Sequence, residues 1–596
     1  MCNRFWPVAF VLSLACPMAW AQTPAGPEFQ VNSYTTGAQR APKVASDANG
    51  NFVIVWHGSG QDGSFYGILG QRFNASGIPL GSEFQVNSYT TGNQSNPAVA
   101  SAATGNFVVV WNGSGQDGSS DGVFGQRFSA SGIPLGSEFQ VNSYTTGLQA
   151  MPTVASDASG NFVVVWQSYH DGSGSGVFGQ RFNASGVPQG GEFQVNSYTT
   201  GYQVGQAVAS DANGNFVVVW QSGFQDGSGD GVFGQRFNAS GVPQGSEFQV
   251  NSYTTGSQRV PAVASGANGN FVVAWQGSYE DGSSVGIFGQ RFGASGVPLG
   301  SEFQVNSYTT GDQRNPALAS DSDGNFVVVW MSTGQDGSSD GVFGQSFNAA
   351  GLPLGSEFRA NSFTAGSQQA PALASAANGS FVVVWNSASQ DGSSDGVFGQ
   401  RYGVDRLTVS KAGTGTGTVT SIPAGINCGT DCAETYSHGT SVTLTAATDP
   451  TSTFAGWSGG GCSSTGTCTV SMTVATTVTS TFTLNTSPPP SFTDEPLQPR
   501  TTPVKMVHVT ELRQAVNALR ARIGLAAAMW TDATMTTGVT PAKAVHLTEL
   551  RTALAAVYEA AGRTAPTYTH ATITGGATVI SAVDVAELRA AVLSIW

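Results

Sequence analysis

One pattern of apolar and polar positions is written seven times between residues 28 and 403. Each copy holds a short run of small apolar residues, a β-branched and aromatic run that ends in tryptophan, and a third apolar run, separated by turns rich in Gly, Asn, Ser and Asp. The tryptophans follow one another at steps of 55, 55, 54, 55, 55 and 55 residues, at Trp56, Trp111, Trp166, Trp220, Trp275, Trp330 and Trp385. Self-similarity at a fixed period of this size predicts a repeat architecture.

Each copy predicts four short strands. In the second copy these are residues 97–101, 106–111, 123–128 and 138–142, which favour strands by composition and are separated by turn residues. Residues 107–111 are apolar at consecutive positions, which predicts a strand covered on both faces. Four antiparallel strands per unit, covered on both faces, predict a propeller blade with residues 97–101 innermost.

The two ends of the array complement each other. The first copy begins at its fourth strand, residues 28–32, and the last copy stops after its third strand, residues 397–402. The N-terminal strand can therefore complete the last unit and remove a free edge. The sequence predicts a mainly β chain that begins with a seven-bladed β-propeller over residues 22–403. An open β-solenoid is the alternative, although a solenoid more often carries distinct caps at both ends.

Residues 1–21 predict a secretory signal peptide. Arg4 supplies a charge, residues 8–16 form an apolar core, and Ala19 and Ala21 provide a small-x-small cleavage site. The core is too short for a stable membrane anchor. We therefore expect the chain to be secreted or displayed at the cell surface.

Residues 404–484 change to a Thr-, Val- and Gly-rich β-pattern with four cysteines. Spacings of four and six residues in an exported chain favour two local disulfides, Cys428–Cys432 and Cys462–Cys468. A zinc site is the alternative, because four cysteines in two close pairs are also suitable tetrahedral ligands.

Five segments in this region resemble the bacterial divergent InlB B-repeat family. They are residues 407–409, 429–432, 442–446, 454–462 and 467–470, and residues 454–462 carry an F-x-G-W-x-G-G-G-C core. The resemblance covers about 80 residues. It implies a small β-module of secreted and surface proteins, with a role in location and spacing rather than catalysis.

The C-terminal part predicts a different architecture. Residues 485–503 are a Pro-rich linker, expected to be extended. Beyond it, three similar segments begin at Val507, Val545 and Val583, which lie 38 residues apart. Apolar residues recur at helical spacing within them, so residues 504–596 predict a three-unit α-helical module. His508 and His546 occupy equivalent positions and are interpreted as packing or cap residues.

Charge narrows the choice of partner. Charged residues make up 10% of the chain and the net charge is −14. Binding to nucleic acid requires a basic surface on the protein. The net negative charge of this chain therefore disfavours binding to nucleic acid and equally to an anionic membrane surface. Glycans and extracellular proteins remain as partner classes.

The loop after each tryptophan is the best candidate for a cation site. In four copies it places two aspartates four residues apart with glycines between them, at Asp117 and Asp121, Asp226 and Asp230, Asp336 and Asp340, and Asp391 and Asp395. Such loops can bind Ca²⁺, which is the only cofactor that the sequence suggests. The alternative is that each Asp-Gly pair forms a turn. A second acidic loop, beginning at Asp47, is interpreted as a hairpin turn.

An arginine also recurs near the end of the third strand of each copy except the sixth, where Ser346 replaces it. Arg127 precedes Glu138 across a turn, which predicts a cross-strand ion pair. A ring of arginines that binds sugars or carboxylates is the alternative.

No catalytic constellation emerges from the residues that break the repeat. These are His57, Tyr66, His170, Tyr202 and Glu280, spread over four copies. We expect a non-catalytic binding or adhesion protein whose propeller face recognises glycan or extracellular protein through repeated weak polar contacts. The alternatives are a glycan-cleaving hydrolase or lyase with accessory modules, or a structural surface scaffold.

Overall fold

The structure, a computed structural model, describes residues 22, 24–282, 284–437, 440–449, 452–472, 475–484, 488–498, 500–536, 541–575 and 579–596. The predicted signal peptide lies outside the described residues. The chain folds as two compact units, one formed mainly by the chain up to Val404 and the other by Asp405–Tyr436 and Ser441–Trp596.

The first unit, called the strand array from here on, contains 28 strands within its described residues. In chain order they begin with β1 (Phe29–Gln30), β2 (Gln39–Ser46), β3 (Phe52–Ser59), β4 (Tyr66–Phe73), β5 (Phe84–Gln85), β6 (Gln94–Ser101), β7 (Phe107–Ser114), β8 (Asp121–Phe128), β9 (Phe139–Gln140), β10 (Gln149–Ser156), β11 (Phe162–Ser168), β12 (Gly176–Phe182), β13 (Phe193–Gln194) and β14 (Gln203–Ser210). They continue with β15 (Phe216–Gly223), β16 (Asp230–Phe237), β17 (Phe248–Gln249), β18 (Gln258–Ser265), β19 (Phe271–Ser278), β20 (Val285–Phe292), β21 (Phe303–Gln304), β22 (Gln313–Ser320), β23 (Phe326–Thr333), β24 (Asp340–Phe347), β25 (Pro353–Arg359), β26 (Gln368–Ser375), β27 (Phe381–Ala388) and β28 (Asp395–Tyr402).

These strands form four-stranded antiparallel sheets. Six sheets take four consecutive strands each, from β2–β5 to β22–β25, and the remaining sheet has the order β1-β28-β27-β26. Phe29 lies opposite Gly399 and Gln30 opposite Phe398, so β1 completes the sheet of the last repeat. This confirms the predicted role of the N-terminal strand, and the array is propeller-like.

Strand lengths differ from the predicted ones at both ends of each repeat. In the second repeat, β6 begins at Gln94 because a register shift between Ser95 and Ala98 lets the strand continue past the bulge. The fourth strand, β9, is only two residues long. Phe139 lies over Gly125, where a Cβ would come within 2.8 Å of its ring, so this crossing requires glycine.

The core of the array lies between neighbouring sheets. Trp111 and Val109 on β7 are fully buried, as predicted for a strand covered on both faces. Phe107 stacks on Phe128 at a ring-centroid distance of 4.9 Å, and Phe84 packs at 5.5 Å from Phe128. Equivalent aromatic groups recur through the array, which explains why the period is so strict.

The first strands of the sheets are the ones that contact each other in succession. Strands β2, β6, β10, β14, β18, β22 and β26 each pack against the next, and β26 packs against β2. This confirms residues 97–101 as part of the innermost strand of their repeat. Between the first and last repeats, Ser46 Oγ donates to the Ser375 carbonyl at 2.7 Å.

The predicted ion pair between Arg127 and Glu138 is wrong. Arg127 lies opposite Val108, and its Nη1 donates to the Ala184 carbonyl in a turn of the next repeat at 2.9 Å. Five further arginines bond to such turns in the same way, namely Arg72, Arg181, Arg236, Arg291 and Arg401. Ser346 replaces the arginine where the next repeat has no such turn, because the chain leaves the array after Tyr402.

A small β-module follows the array. Its strands are β29 (Val404–Ala412), β30 (Gly417–Ile422), β31 (Ala433–Ser437), β32 (Ser441–Thr448), β33 (Ser452–Ser458), β34 (Cys468–Ser471) and β35 (Thr476–Leu484), in sheets ordered β31-β29-β35-β33 and β30-β32-β34. Leu407, Val442 and Val478 are fully buried in its core. The predicted disulfides Cys428–Cys432 and Cys462–Cys468 are confirmed, so the zinc alternative is wrong.

The last part of the described chain contains the helices α1 (Met506–Arg522), α2 (Ala544–Ala560) and α3 (Ala582–Ile595). Each packs against the other two. Val509, Leu512 and Val516 face this core, as the helical spacing predicts. Within the described residues, no helix combines the length and apolar character that crossing a membrane requires.

Part of the predicted linker packs against these helices. Phe492 and Leu497 belong to their hydrophobic core. Arg589 on α3 donates to the Thr493 carbonyl at 2.8 Å and to Glu495 at 2.9 Å. We call residues 492–596 the helical module, because its packed core begins at Phe492 rather than at residue 504.

Candidate binding face

Two loops per repeat lie together on one face of the strand array. One follows the tryptophan strand, as at residues 115–120, and the other connects one repeat to the next, as at residues 143–148. Gly147 N donates to Ser119 Oγ at 3.2 Å, and Ser367 Oγ donates to Ser339 Oγ at 2.9 Å. We call this surface the loop face, and these contacts confirm that the two kinds of loop share it.

A buried asparagine ties the two loops together. Asn142 Oδ1 accepts a hydrogen bond from Val123 N at 2.7 Å, while its Nδ2 donates to the Tyr144 carbonyl at 2.9 Å and to Gln149 Oε1 at 3.3 Å. Its side chain is 3% exposed. The same position holds Asn32, Asn87, Asn196, Asn251, Asn306 and Asn361. These asparagines stabilise the fold of the face and leave little capacity for a ligand.

The first aspartate of each predicted cation loop forms a turn. In Asp117 and Asp226, Oδ1 accepts the backbone N–H two residues later at 3.0 and 3.1 Å. Asp336 and Asp391 make the same contact at 3.1 and 3.0 Å. This geometry is that of an Asx turn, in which the carboxylate fixes its own loop.

In three of the four loops, the second aspartate contacts the next repeat instead. Asp230 pairs with Arg259, and Asp395 pairs with Arg40, which joins the last repeat to the first. Asp340 accepts from Gln369 Nε2 at 3.0 Å. Asp121 begins β8 opposite Ser114.

The two aspartates of a loop therefore have different partners. Across the described residues, no three or more His, Cys, Asp or Glu side chains gather in a way that would hold a metal ion. The calcium site stays a prediction without a described ligand cluster. Asp47 follows the turn interpretation, since its Oδ1 accepts from Asn49 N and Asn51 N at 2.9 Å each.

A third repeated contact crosses between repeats. Glu138 accepts from Ser88 Oγ at 2.9 Å, and Gln116 Nε2 of its own repeat also donates to it. The equivalent Glu28 accepts from Ser362 Oγ at 2.7 Å and from Gln390 Nε2 at 2.6 Å, which links both ends of the array. The repeated polar side chains of the loop face thus serve the fold.

In the third repeat, His170 stands where most copies have glutamine. Its ring stacks between Tyr144 at 4.1 Å and Phe178 at 3.7 Å, and lies 3.7 Å from the Glu192 carboxylate. Burial lowers the pKa of His170, although Glu192 and Asp171 act in the opposite direction.

In the fourth repeat, a tyrosine joins the contact between repeats. Tyr202 OH donates to Asp230 Oδ1 at 2.5 Å, and this hydrogen bond, with burial, raises the pKa of Tyr202. Asp230 is 2% exposed, whereas its partner Arg259 is 48% exposed. A solvent-facing guanidinium therefore lies between the fourth and fifth repeats.

In the fifth repeat, Glu280 takes the glutamine position and faces Glu302. Burial, a hydrogen bond with Glu302, and the charges of Glu302 and Asp281 raise the pKa of Glu280 to about 9. A protonated Glu280 can donate to Glu302 as glutamine does in other repeats.

In the first repeat, His57 meets Tyr66 edge-on at 5.1 Å, and burial together with Arg40 lowers the pKa of His57 to about 4. The five residues that break the repeat therefore lie in four different repeats. The structure does not bring these residues together into one catalytic group.

Three exposed aromatic residues on this face were not predicted from the sequence. Tyr169, Phe224 and Tyr279 are 59%, 71% and 71% exposed. Phe224 and Tyr279 occupy the loop position that holds Gly60, Gly115, Gly334 and Ser389 in other repeats, and Tyr169 begins the third repeat's loop, which is one residue shorter. The sequence does contain a signal for these three residues, because an alignment of the seven copies separates the loops that carry an aromatic residue from those that carry glycine.

Residues 407–486 match the model of the divergent InlB B-repeat domain. This match confirms the resemblance seen in the sequence, and it covers the small β-module rather than the array or the helices. No curated protein matches the sequence of this chain.

Several solved structures are similar to this chain at low sequence identity. One is a Dyadobacter fermentans protein of unknown function, with 10% identity and a TM-score of 0.40, covering 64% of this chain and 98% of that protein. Another is the Penicillium chrysogenum alpha-L-arabinanase with arabinobiose, with 14% identity and a TM-score of 0.37, covering 51% and 94%. The Streptococcus pneumoniae sialidase NanB has 9% identity and a TM-score of 0.34, covering 61% and 67%. At these TM-scores the similarities carry no argument about activity.

Proposed function

We propose that the chain is an exported, non-catalytic binding or adhesion protein. On this proposal residues 22–403 form a closed, seven-bladed β-propeller whose loop face recognises a glycan or an extracellular protein. The β-module acts as a spacer, and the helical module is a second folded end of the chain.

Closure is supported by the contacts between the first and last repeats. Strand β1 pairs with β28, Glu28 accepts hydrogen bonds from Ser362 and Gln390, and Arg401 Nη1 donates to the Ala75 carbonyl at 2.6 Å. Each contact has a counterpart between neighbouring repeats elsewhere in the array. An open array would leave its two ends without these partners.

The observation that carries the binding proposal is the division of roles on the loop face. Repeated Asp, Asn, Gln and Glu side chains are engaged in holding the loops, whereas exposed Ser and Thr and the non-repeated aromatic residues point to solvent. Equivalent exposed groups on consecutive repeats suit many weak contacts, which gain strength through multivalency.

Export is supported by two features of the described chain. The disulfides Cys428–Cys432 and Cys462–Cys468 belong to an oxidising compartment. The InlB B-repeat match at residues 407–486 fits a protein that functions outside the cell.

Binding is tested by applying the full chain to immobilised glycans and extracellular matrix proteins, with calcium and then with chelator. Saturable binding to either class supports the proposal, and loss in chelator would also support the aspartate loops as cation sites. If the chain bound neither the glycans nor the matrix proteins, the result would contradict the proposed recognition and favour a structural scaffold.

A glycan-cleaving hydrolase is the second candidate, and the Glu280–Glu302 pair is the observation that favours it. Glycoside hydrolysis uses two carboxyl groups, one of them protonated. If this pair were catalytic, incubation of the chain with polysaccharides would release reducing ends, and Glu280→Gln would abolish the release. Because other repeats already hold glutamine there, the variant is expected to fold.

A further inference from the structure

Three consecutive repeats carry an aromatic residue at the start of the loop after the tryptophan strand. These are Tyr169, Phe224 and Tyr279, in the third, fourth and fifth repeats. The other four repeats hold glycine or serine at this position, as Gly60, Gly115, Gly334 and Ser389. The aromatic residues therefore form one sector of the loop face rather than a complete ring.

The fold does not require the aromatic side chains of Phe224 and Tyr279. Phe224 and Tyr279 adopt φ values of 59° and 64°, a region that is unfavourable for bulky side chains. Gly115 and Gly334 reach similar values of 70° and 76° without that cost. The aromatic rings of Phe224 and Tyr279 are also more than two thirds exposed, so burial does not offset the strain.

The same sector carries His170, Tyr202 and Glu280, which are three of the five residues that depart from the repeat, and it also carries an exposed arginine. His170 follows Tyr169, Arg259 lies between the fourth and fifth repeats with 48% exposure, and Glu280 follows Tyr279. Isolated aromatic rings beside a few fixed polar groups are typical of ligand sites rather than of random surface.

Resting on the proposed function, we propose that Tyr169, Phe224 and Tyr279 form a stacking row that binds one neutral glycan chain across the third to fifth repeats. The ring of a sugar presents a face of C–H groups, which packs on the electron-rich face of an aromatic side chain. The hydroxyl groups at its edge can bond to the exposed Ser, Thr and Arg259 side chains.

The surroundings favour a neutral glycan over the other possible occupants. Each of the three loops also contains an aspartate, at Asp171, Asp226 and Asp281, and the chain carries a net charge of −14. Acidic polysaccharides would be repelled by this charge. A protein partner would require a contiguous apolar centre, whereas Gly, Ser and Asp separate these rings.

The test measures binding of the full chain to an array of neutral polysaccharides and oligosaccharides. The wild-type chain is compared with the triple variant Tyr169→Gly, Phe224→Gly, Tyr279→Gly, which installs the residue that three other repeats already hold. We expect the triple variant to lose at least tenfold in affinity, with each single variant losing part of it.

Phe65→Ser is the matched control. Phe65 is also 71% exposed on the loop face, but it lies in the first repeat, where the second repeat has Ser120. This variant should bind as the wild-type chain does. Unfolding temperatures that are no lower than that of the wild-type chain would show that the loss reflects the site and not the fold.

Failure of the row and failure of the proposed function give different results. Wild-type binding that survives the triple substitution would overturn the stacking row while leaving glycan recognition intact. If the wild-type chain bound none of the glycans tested, the result would overturn both glycan recognition and the stacking row. Binding that falls equally in Phe65→Ser and in the triple variant would also overturn the row, because it would place the contact elsewhere on the face.

Discussion

The strand array and the helical module solve the same closure problem with different chemistry. In the array, residues 28–32 return to the last repeat and add a strand to it. In the helical module, residues 492–495 contact α3 through Arg589. In both regions, the N-terminal segment contacts the last repeated unit. The array uses backbone pairing between strands for this contact, and the helical module uses hydrogen bonds from one side chain.

The difference lies in how the closing contact is distributed. The array joins its ends through backbone pairing, Glu28, Arg401 and the Asp395–Arg40 pair. The helical module concentrates the contact on Arg589, which is 1% exposed and reaches Thr493, Glu495 and Glu511 while lying 4.7 Å from the centre of the Phe492 ring. The helical module should therefore be the more sensitive of the two to a single substitution.

The largest effect is expected for Arg589→Ala. Removing this buried arginine deletes its hydrogen bonds to Thr493, Glu495 and Glu511 and its packing on Phe492, which together cost on the order of 3 kcal/mol. The ellipticity at 222 nm reports on this module, because all helices of the described residues belong to it. Its unfolding transition should shift to lower denaturant.

Arg513→Ala sharpens this comparison. Arg513 holds the equivalent position on α1 and donates to the Thr531 carbonyl at 2.7 Å and to Glu549 at 3.2 Å. In a closed module the two substitutions cost similar amounts, since every interface is internal. A clearly smaller loss for Arg589→Ala would show that its contact is only an end contact.

A smaller effect is expected from exchanging a histidine–aspartate pair. His546 Nε2 lies 3.0 Å from Asp532, whereas the third unit has the residues reversed, with His570 Nδ1 2.8 Å from Asp584. His546→Asp alone places two carboxylates together and should cost about 1–2 kcal/mol. The triple variant Asp532→His, Lys543→Ser, His546→Asp copies the third unit and should recover most of that loss in the same measurement. If it does not, the three units are not equivalent.

Within the array, Glu280→Gln should alter the pH dependence of stability. The pKa of Glu280 is raised to about 9, so the folded state retains a proton that the unfolded state loses above its usual pKa of 4.5. Stability therefore falls as pH rises from about 5 to 9 in the wild-type chain. Glu280→Gln removes this contribution. The unfolding temperature of the variant, relative to that of the wild-type chain, should therefore increase as pH rises. Parallel pH profiles would contradict a protonated Glu280.

The smallest effect is expected for Tyr279→Gly. The substitution relieves the strained φ of an exposed residue, and the greater freedom of glycine in the unfolded chain partly offsets this effect. The free energy of unfolding should therefore increase by about 0.5–1 kcal/mol. Gly334→Ala is the converse control and should lose a similar amount. Thermal unfolding followed by tryptophan fluorescence measures both. A loss of stability in Tyr279→Gly would show that the aromatic ring supports the fold.

Repetition made most of the fold predictable from the sequence. The tryptophan period located the strands, the missing and spare strands at the two ends indicated closure, and the 38-residue spacing indicated three helical units. The predicted Arg127–Glu138 ion pair failed because sequence distance suggested a partner across a hairpin. Arg127 instead bonds to a carbonyl of the next repeat, a contact that only the packing of sheets creates.

The candidate site was less predictable for a related reason. Aspartates and asparagines that recur in the loops suggested ligand contacts, yet residues such as Asn142 and Asp117 are used to hold the loops together. Tyr169, Phe224 and Tyr279 recur in only three copies, and their importance depends on exposure and backbone conformation. Neither property can be deduced from residue type alone.

Closure of the strand array is tested most directly by comparing Phe29→Ala with Phe84→Ala. Phe29 lies 5.4 Å from Phe73, and Phe84 lies 5.5 Å from Phe128, in equivalent groups at the end and in the interior of the array. In a closed ring both substitutions remove the same contacts and should lower the free energy of unfolding equally, by about 3 kcal/mol. Equal losses in chemical unfolding, followed by tryptophan fluorescence, would support the closed ring. A loss for Phe84→Ala with almost none for Phe29→Ala would show a frayed end and contradict it.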